Sequence, residues 1–499
     1  MFGLFSNFLK SPVLIVDEIL LTELIESLLD WQEKKYSNLF MYEEVNFRAA
    51  FARYFYFSAI NQPSALLPLI AASRDWAAQN KNQALLDLYK EIEILNGFKS
   101  EVNLILRGVV AYLKVCFMAM RSLMLSKERH LWNEDKKSIG FFVINPRFLI
   151  FFKETITAFK EHQKIIFSND SNALNESILT VGASPQKLMS GSLSLLSIHI
   201  PIFHPLFFIY ANILQAYTNM LATLSYSQPS VLVFAEGTSM QDEISSQAAK
   251  KLSIPTVRMQ SGRGGVMHCG YRGMSFDKML CWGEGFVQHY KRHSPRPVYE
   301  VTGTPLFNDL KKGGQSTNNF TIAIFTQPIS KHISEQEYAA LTNICTTVLK
   351  NLPDAKVIVR KHPVDSSTVF DLLSLQHPEL VKLMPATEYT LTEVMNEVVC
   401  AVGFYSTTLS EAAACNVIPI IMKMREQHSM FPFPEEYGAA IIADGENATF
   451  DIISNIMKNP KKFLETREKM KSFSNHFFGI NDGQSLQRVV ESILRSTNT

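Results

Sequence analysis

The sequence predicts two α/β domains that face each other across a cleft, with a helical region ahead of them. Three observations carry that prediction. The chain has 499 residues, far more than one ordinary core organises. Short apolar runs alternate with helical patterns in two separate series, the rhythm of parallel strands joined by crossover helices. A stretch rich in Gly, Ser, Thr and Asn, KKGGQSTNNF at Lys311–Phe320, parts the two series and reads as a linker.

Residues 1–135 read as helices. Apolar residues recur every three or four positions through Val16–Trp31 and Ala84–Leu95, with Pro63 and Pro68 as punctuation. No polar motif converges there, so the region reads as a helical accessory layer. Residues 136–312 form the first α/β domain. Its strands are expected in IGFFVINP, KIIFSND, SVLVFAEG, IPTVRMQSG, FDKMLCWG and PVYEVTG, with helices at Phe148–His162 and Ser239–Ser253. Residues 313–499 form the second, with strands in TIAIFTQP, AKVIVRKHP, VVCAVGF and VIPIIM. Its helices are expected at Ser334–Leu352 and Thr407–Asn416, with a closing helix at Leu486–Ser496.

Composition narrows the function classes. Apolar residues make up 46% and charged residues 19%, which excludes wholesale disorder and fits a well-buried enzyme. The formal net charge is +1, which gives a nucleic-acid partner no support. The cysteines are Cys116, Cys269, Cys281, Cys345, Cys400 and Cys415. They form no CxxC pair, so neither a zinc site nor a disulfide framework is expected, and a reducing, cytoplasmic compartment fits. The N-terminus lacks the pattern of a cleaved signal. Phe2, Leu4, Phe5, Phe8 and Leu9 form either a packed first helix or a membrane foot. The apolar stretch Ser192–Tyr217 approaches a membrane span in length, but His199, Pro201, His204 and Pro205 interrupt it. A buried irregular segment and helix is expected, with a peripheral membrane contact left open.

The polar motifs sit where strands end, which is where open α/β sheets bind ligands. Arg360-Lys361-His362-Pro363 closes one strand. Pro363 cannot donate to the ladder, so His362 lies at the sheet edge and can donate to a phosphate oxygen, with Arg360 and Lys361 adding positive charge. At Gly403–Ala412 a strand ends and Ser406, Thr407 and Thr408 open a helix. Capping alone accounts for hydroxyls there, but such a helix start also binds phosphate. Glu411, one turn further in, can accept from ribose hydroxyls. Phe234–Thr238 places Glu236 at a turn, where a carboxylate can take a proton from an acceptor hydroxyl; a helix cap region is the plainer reading. Gln260-Ser261-Gly262-Arg263 follows another strand and reads as an acceptor or phosphate loop, or simply as a flexible one. His268 beyond it is a further candidate for contact with an anion or sugar. No Asp-x-Asp pair occurs, so no bound metal is expected.

The set of VTGTP, linker, RKHP and GFYSTTLSEAAACNVIPIIM resembles the GT-B glycosyltransferases, built from two facing Rossmann-like domains. More narrowly it resembles bacterial capsule and surface-polysaccharide enzymes: polysialyltransferases and other sialyltransferase-like enzymes, Kdo transferases and teichoic-acid CDP-glycerol transferases. The likeness spans about residues 137–490. In sialyltransferase-like members an acid-acid-Gly motif supplies the base, while His-Pro and Ser-Ser/Thr motifs bind the nucleotide phosphate. Here Ala235-Glu236-Gly237 keeps only the second acid, His362-Pro363 is intact, and Ser406-Thr407 stands for the hydroxyl pair. Gln260-Ser261-Gly262 replaces the His-Gly loop of teichoic-acid enzymes, which weighs against glycerol-phosphate transfer.

The resemblance implies a nucleotide-sugar substrate with no further cofactor. The expected donor is a CMP-activated nonulosonic or Kdo-like sugar; the alternatives are a UDP-sugar transferase or epimerase of the same fold, or a CDP-glycerol/ribitol phosphotransferase. The acceptor would be a surface glycan or lipid-linked glycoconjugate, met at the inner face of the cytoplasmic membrane. Glu236 would be the base, and His362, Ser406 and Thr407 would hold the departing phosphate. A scaffold carrying a degenerate transferase domain is the non-enzymatic alternative.

Overall fold

A computed structural model describes residues 17–60, 62–96, 101–124, 137–144, 146–168, 183–189, 191, 198, 200–201, 203–235, 237–262, 268–307, 320–329, 333–404, 406–425, 431–479 and 482–497. The apolar N-terminal residues 2–9, most of the linker, Glu236 and Arg263 lie outside the described residues.

The N-terminal region is helical, as its spacing predicts. It contains α1 (Glu18–Lys35), a short hairpin of β1 (Met41–Tyr42) and β2 (Val45–Asn46), then α2 (Arg48–Ala59), α3 (Leu67–Ala72), α4 (Trp76–Gln79), α5 (Gln83–Asn96) and α6 (Glu101–Met124). Asp17 caps α1, accepting from the Ile19 N–H at 2.8 Å. Leu21, Leu24, Ile25 and Leu28 then line its inner face and are fully buried.

The first sheet follows. Its elements are β3 (Ser138–Phe142), α7 (Pro146–Ala158), β4 (Gln163–Ser168), β5 (Ser184–Lys187), α8 (Phe207–Ser227), β6 (Val231–Ala235), α9 (Met240–Lys251), β7 (Thr256–Met259), β8 (Lys278–Cys281), α10 (Glu284–Lys291) and β9 (Val298–Val301). All pairings are parallel, in the order β5-β4-β3-β6-β7-β8-β9. Val231–Ala235 is buried at every position, as a strand covered on both faces must be.

The helical region packs directly onto the first domain. Its apolar core is continuous with that of the first sheet. The Phe47 ring lies 5.1 Å from Tyr217 of α8, and Phe51 stacks on Tyr210 of the same helix. Helical spacing in the sequence shows that a face is apolar but not which partner covers it. The Ser192–Tyr217 stretch ends in α8, which is buried between this region and the sheet. No described helix is long and apolar enough to cross a membrane.

The second sheet contains β10 (Phe320–Phe325), α11 (Glu335–Asn351), β11 (Ala355–Arg360), α12 (Val369–Gln376), β12 (Val381–Leu383), α13 (Leu391–Glu397), β13 (Cys400–Gly403), α14 (Thr407–Ala414), β14 (Ile418–Lys423), β15 (Ile441–Asp444) and α15 (Gly445–Lys458), followed by α16 (Leu464–Phe477). It too is parallel, in the order β12-β11-β10-β13-β14-β15. Each sheet starts in its middle, grows to one side and then to the other. Each therefore has a switch point, between β3 and β6 in the first and between β10 and β13 in the second, where the diverging loops open a crevice.

The last helix, α17 (Ser485–Ser496), departs from the sequence expectation. The sequence assigns it to the second domain, yet it packs on the first sheet. Val489 and Ile493 share an apolar cluster with Phe141, Phe152, Val233 and Leu280. Arg488 Nε donates to the Thr302 carbonyl at 2.8 Å, and Ser492 Oγ donates to Glu300 at 2.6 Å. The face of the first sheet opposite α8 would otherwise be only half covered, by α7. Just before the return, an aromatic seam joins the lobes, with Trp282 stacked on Phe478 and Phe286 edge-on to Phe477. Gly283 and Gly285 make this approach feasible. A Cβ at Gly283 would stand 2.4 Å from the His476 carbonyl oxygen, and one at Gly285 2.4 Å from the Phe477 ring. Two doubly wound parallel sheets, with a C-terminal helix returning to the first, make a GT-B architecture.

Candidate active site

The second sheet brings three strand ends to its switch point. Thr326 follows β10 and fastens the tip of β11. Its N–H donates to the Arg360 carbonyl at 3.2 Å, and its hydroxyl accepts from the His362 N–H at 3.2 Å while donating to Asp365. Asp365 also accepts from the Tyr338 hydroxyl at 2.9 Å and the Ser367 N–H at 3.0 Å. The turn after β11 is therefore held by several bonds to neighbouring elements. Within it, His362 is exposed, and its Nδ1 faces the Val364 N–H at 3.4 Å. With Nδ1 as acceptor, Nε2 is the nitrogen left to donate.

The two basic neighbours divide. Arg360 donates to the Tyr389 carbonyl at 2.8 Å and to the Thr390 carbonyl at 3.3 Å. Burial lowers its pKa, against the pull of Glu411 and then Glu393, so Arg360 and Glu411 belong to one electrostatic cluster. Lys361 turns the other way. Its ammonium pairs with Asp371 of α12 at 2.6 Å and donates to the Ser367 carbonyl at 2.7 Å. Lying one residue past β11, it reaches α12, so its charge is taken up in anchoring that helix instead of joining the crevice as expected.

Across the switch point, Ser406 caps α14, accepting from the Thr408 N–H at 3.3 Å. Ser406, Thr407, Thr408 and Glu411 are all half-buried. Capping and phosphate binding are compatible here, since one cap bond satisfies only one of the free amides at a helix start.

In the first domain, Glu236 lies outside the described residues, but the chain on either side of its position is well fixed. Ala235 ends β6. Gly237 has φ +64°, and a Cβ there would stand 2.8 Å from Arg258 Cδ, so both conformation and space call for glycine. Ser239 caps α9 in a reciprocal box with Asp242. From the N-terminal region, Arg53 reaches in to donate to the carbonyls of Gly237 and Ser239, both at 3.2 Å. The sequence signal for Arg53 is a lone cation in the apolar run AAFARYFYF, which becomes informative only once the buried loop opposite is known.

Gln260 is almost fully buried and works inside the fold. Its amide donates to the Gly262 carbonyl at 3.0 Å and accepts from the Trp282 N–H at 2.9 Å. It braces its loop and is not free to bind a ligand. Ser261 and Gly262 are half-buried at the loop's start. His268 is likewise no exposed ligand. It stacks on Tyr56 at 4.3 Å, and its pKa is pushed down to about 3, by burial first and then by Arg258, Arg53 and Arg272. Arg258 is buried with its guanidinium 4.9 Å from the Tyr271 ring centre.

Among the described residues no cluster of His, Cys, Asp or Glu is placed to hold a metal ion. An open cavity near Thr321, Lys356 and Glu397 lies at the amino ends of the second sheet, away from these motifs.

No protein-family model matches the chain, and no curated protein matches it. Solved structures are similar to it in fold. A putative UDP-N-acetylglucosamine 2-epimerase from Listeria monocytogenes aligns at 12% identity over 72% of this chain and 96% of its own, with a TM-score of 0.49. UDP-GlcNAc 2-epimerase from Neisseria meningitidis, bound to UDP-GlcNAc, aligns at 14% over 72% and 100%, with a TM-score of 0.46. MurG from Acinetobacter baumannii aligns at 12% over 72% and 99%, with a TM-score of 0.44. The fold assignment stands on the two strand orders themselves.

Proposed function

We propose that the chain is a metal-independent glycosyltransferase, with a nucleotide sugar held by the second domain and a hydroxyl acceptor held by the first. The observation that carries this reading is the pair of groups at strand ends of the second sheet: the exposed imidazole of His362, whose Nδ1 accepts from the Val364 N–H, and the capped start of α14 at Ser406. Fixed donors aimed at a departing phosphate stabilise charge where it develops and need no reorganisation.

On this reading His362 and the α14 amides hold the phosphate, with Thr326 and Asp365 keeping His362 in place. Arg360 and Glu411 lie beside it, where Glu411 can accept from ribose hydroxyls. Glu236 takes the proton of the acceptor hydroxyl, and closure of the lobes excludes water. None of the groups given a role on this reading selects a base. CMP-activated nonulosonic or Kdo-like sugars and UDP-sugars therefore both enter the screen, the latter also without acceptor to detect epimerisation.

The test is a thermal-shift screen against CMP, CDP, UDP and GDP, followed by transfer assays. A nucleotide that prefers the folded state raises its melting temperature. Glu236→Gln should abolish transfer and leave nucleotide binding intact, while His362→Ala should weaken binding or turnover. Near-normal rates in both variants would refute the assignment.

A further inference from the structure

Helix α6 packs one side onto α8, with Gly108 and Val115 buried and the Tyr112 ring 6.3 Å from Phe207. Its other side is apolar and open. Leu106, Val110, Leu113 and Phe117 are between 57% and 65% exposed, and Val109 is exposed beside them. Spacings of four, three and four residues put these side chains on one stripe, about three turns and roughly 16 Å long. Single exposed apolar residues are ordinary on a protein surface, but a continuous stripe is not.

The charge along that stripe has one sign. Arg107 and Lys114, seven residues apart and so on the same margin, are both exposed. The run from Leu106 to Phe117, LRGVVAYLKVCF, contains no carboxylate. The Arg107 guanidinium lies 6.0 Å from the Phe208 ring centre, which keeps its stem along the apolar surface. An apolar face with two cations along one margin and no acid in its run matches a surface that is apolar inside and anionic outside. A second copy of the chain would bring the same cations and, over this run, no acid to receive them. Since no described helix can span a bilayer, the helix would lie in the plane of the surface.

We infer that α6 is a membrane-docking helix that seats the protein on anionic phospholipid, with Leu106, Val110, Leu113 and Phe117 entering the headgroup boundary and Arg107 and Lys114 meeting the phosphates. This does not depend on the reaction, so it can stand or fall apart from the transferase reading.

The experiment is flotation of the full chain with phosphatidylglycerol/phosphatidylethanolamine vesicles and with phosphatidylcholine vesicles. Binding is expected to the first and not the second. Leu113→Glu with Phe117→Glu, and separately Arg107→Glu with Lys114→Glu, should each weaken it at least about tenfold. All four side chains are exposed, so the variants should fold, as checked by circular dichroism and melting. The charge pair stands as the second test if the apolar pair does not fold. The inference is overturned if the anionic vesicles are not bound or if both variants bind like the parent chain. It is also overturned if removing residues 1–12 alone abolishes binding. So too if light scattering shows a dimer that the apolar variant turns into a monomer, which would mean that a second copy covers the face.

Discussion

Arg53 and Glu243 form a buried ion pair, with Nη2 2.8 Å from Oε2 and the side chains 0% and 1% exposed. The contact is close without being aligned as a hydrogen bond, so the guanidinium is oriented mainly by the carbonyls of Gly237 and Ser239. The pair links α2 of the N-terminal region to α9 and to the turn that follows Glu236. Arg53→Ala should cost about 3–5 kcal/mol, read by urea unfolding, because it leaves a buried carboxylate without its cation. The double change Arg53→Met, Glu243→Leu should restore much of that stability. Turnover should still be low in the double variant, since the turn then loses both bonds from Arg53. Normal turnover there would make the pair purely structural.

His362 and Lys361 are neighbours with separate duties. His362→Ala should lower turnover about 10²-fold, the scale of one lost transition-state donor. Lys361→Met should leave nucleotide affinity unchanged and lower stability by about 1 kcal/mol or less, as loss of a partly exposed pair does. Isothermal titration with the nucleotide found in the screen, beside urea unfolding, separates the two. A large affinity loss in Lys361→Met would return that residue to the crevice.

Acid should destabilise the protein before its other carboxylates protonate. Burial and nearby cations hold His268 down to about 3, and burial and Lys35 hold His204 down to about 4, from 6.5. Between those values and 6.5 the unfolded chain binds more protons, so stability falls as pH falls. Asp242 acts in the opposite sense. Burial raises it from 3.8 to about 6, against its bonds to Ser239, so its contribution grows as pH falls through that window. The histidine shifts are larger and outweigh it. Urea midpoints should drop between about pH 7 and about pH 4.5, and less steeply in His268→Gln. A midpoint that rises on acidification contradicts this balance.

Gly285→Ala should destabilise the protein by about 1–3 kcal/mol, the range for overpacking a tight contact. The new methyl group would meet the Phe477 ring at 2.4 Å. The change belongs to the seam between the lobes, so intrinsic fluorescence of Trp282, stacked on Phe478, should report it alongside urea unfolding. An unchanged midpoint would mean that the seam can open without cost.

The two α/β series were legible because their strands are unbroken apolar runs and the helices between them carry clear caps, such as Ser334 with Glu337 and Ser239 with Asp242. The places of His362 just past a strand and of Ser406 at a helix start were legible because Pro363 and the hydroxyl run mark where strands stop. What the sequence hid is long-range. Arg53 meets Gly237 across 184 positions, and no local period encodes such a meeting. Lys361 and Gln260 looked like ligands because residue type does not reveal that Asp371 or Trp282 already occupies them. The allegiance of Ser485–Ser496 was misread for the same reason: amphipathic spacing shows that a helix has an inner face, not which sheet it covers.

The chain passes between the lobes twice, once between Phe307 and Phe320 and again where Phe478 leads on to the helix that settles on Phe141 and Val233. Two tethers therefore join the lobes, and the second is reinforced by the packing of α17 on the first sheet, so losing one leaves the other in place. A single protease cut in the first tether should therefore leave two fragments that travel together on a sizing column and part only in denaturant.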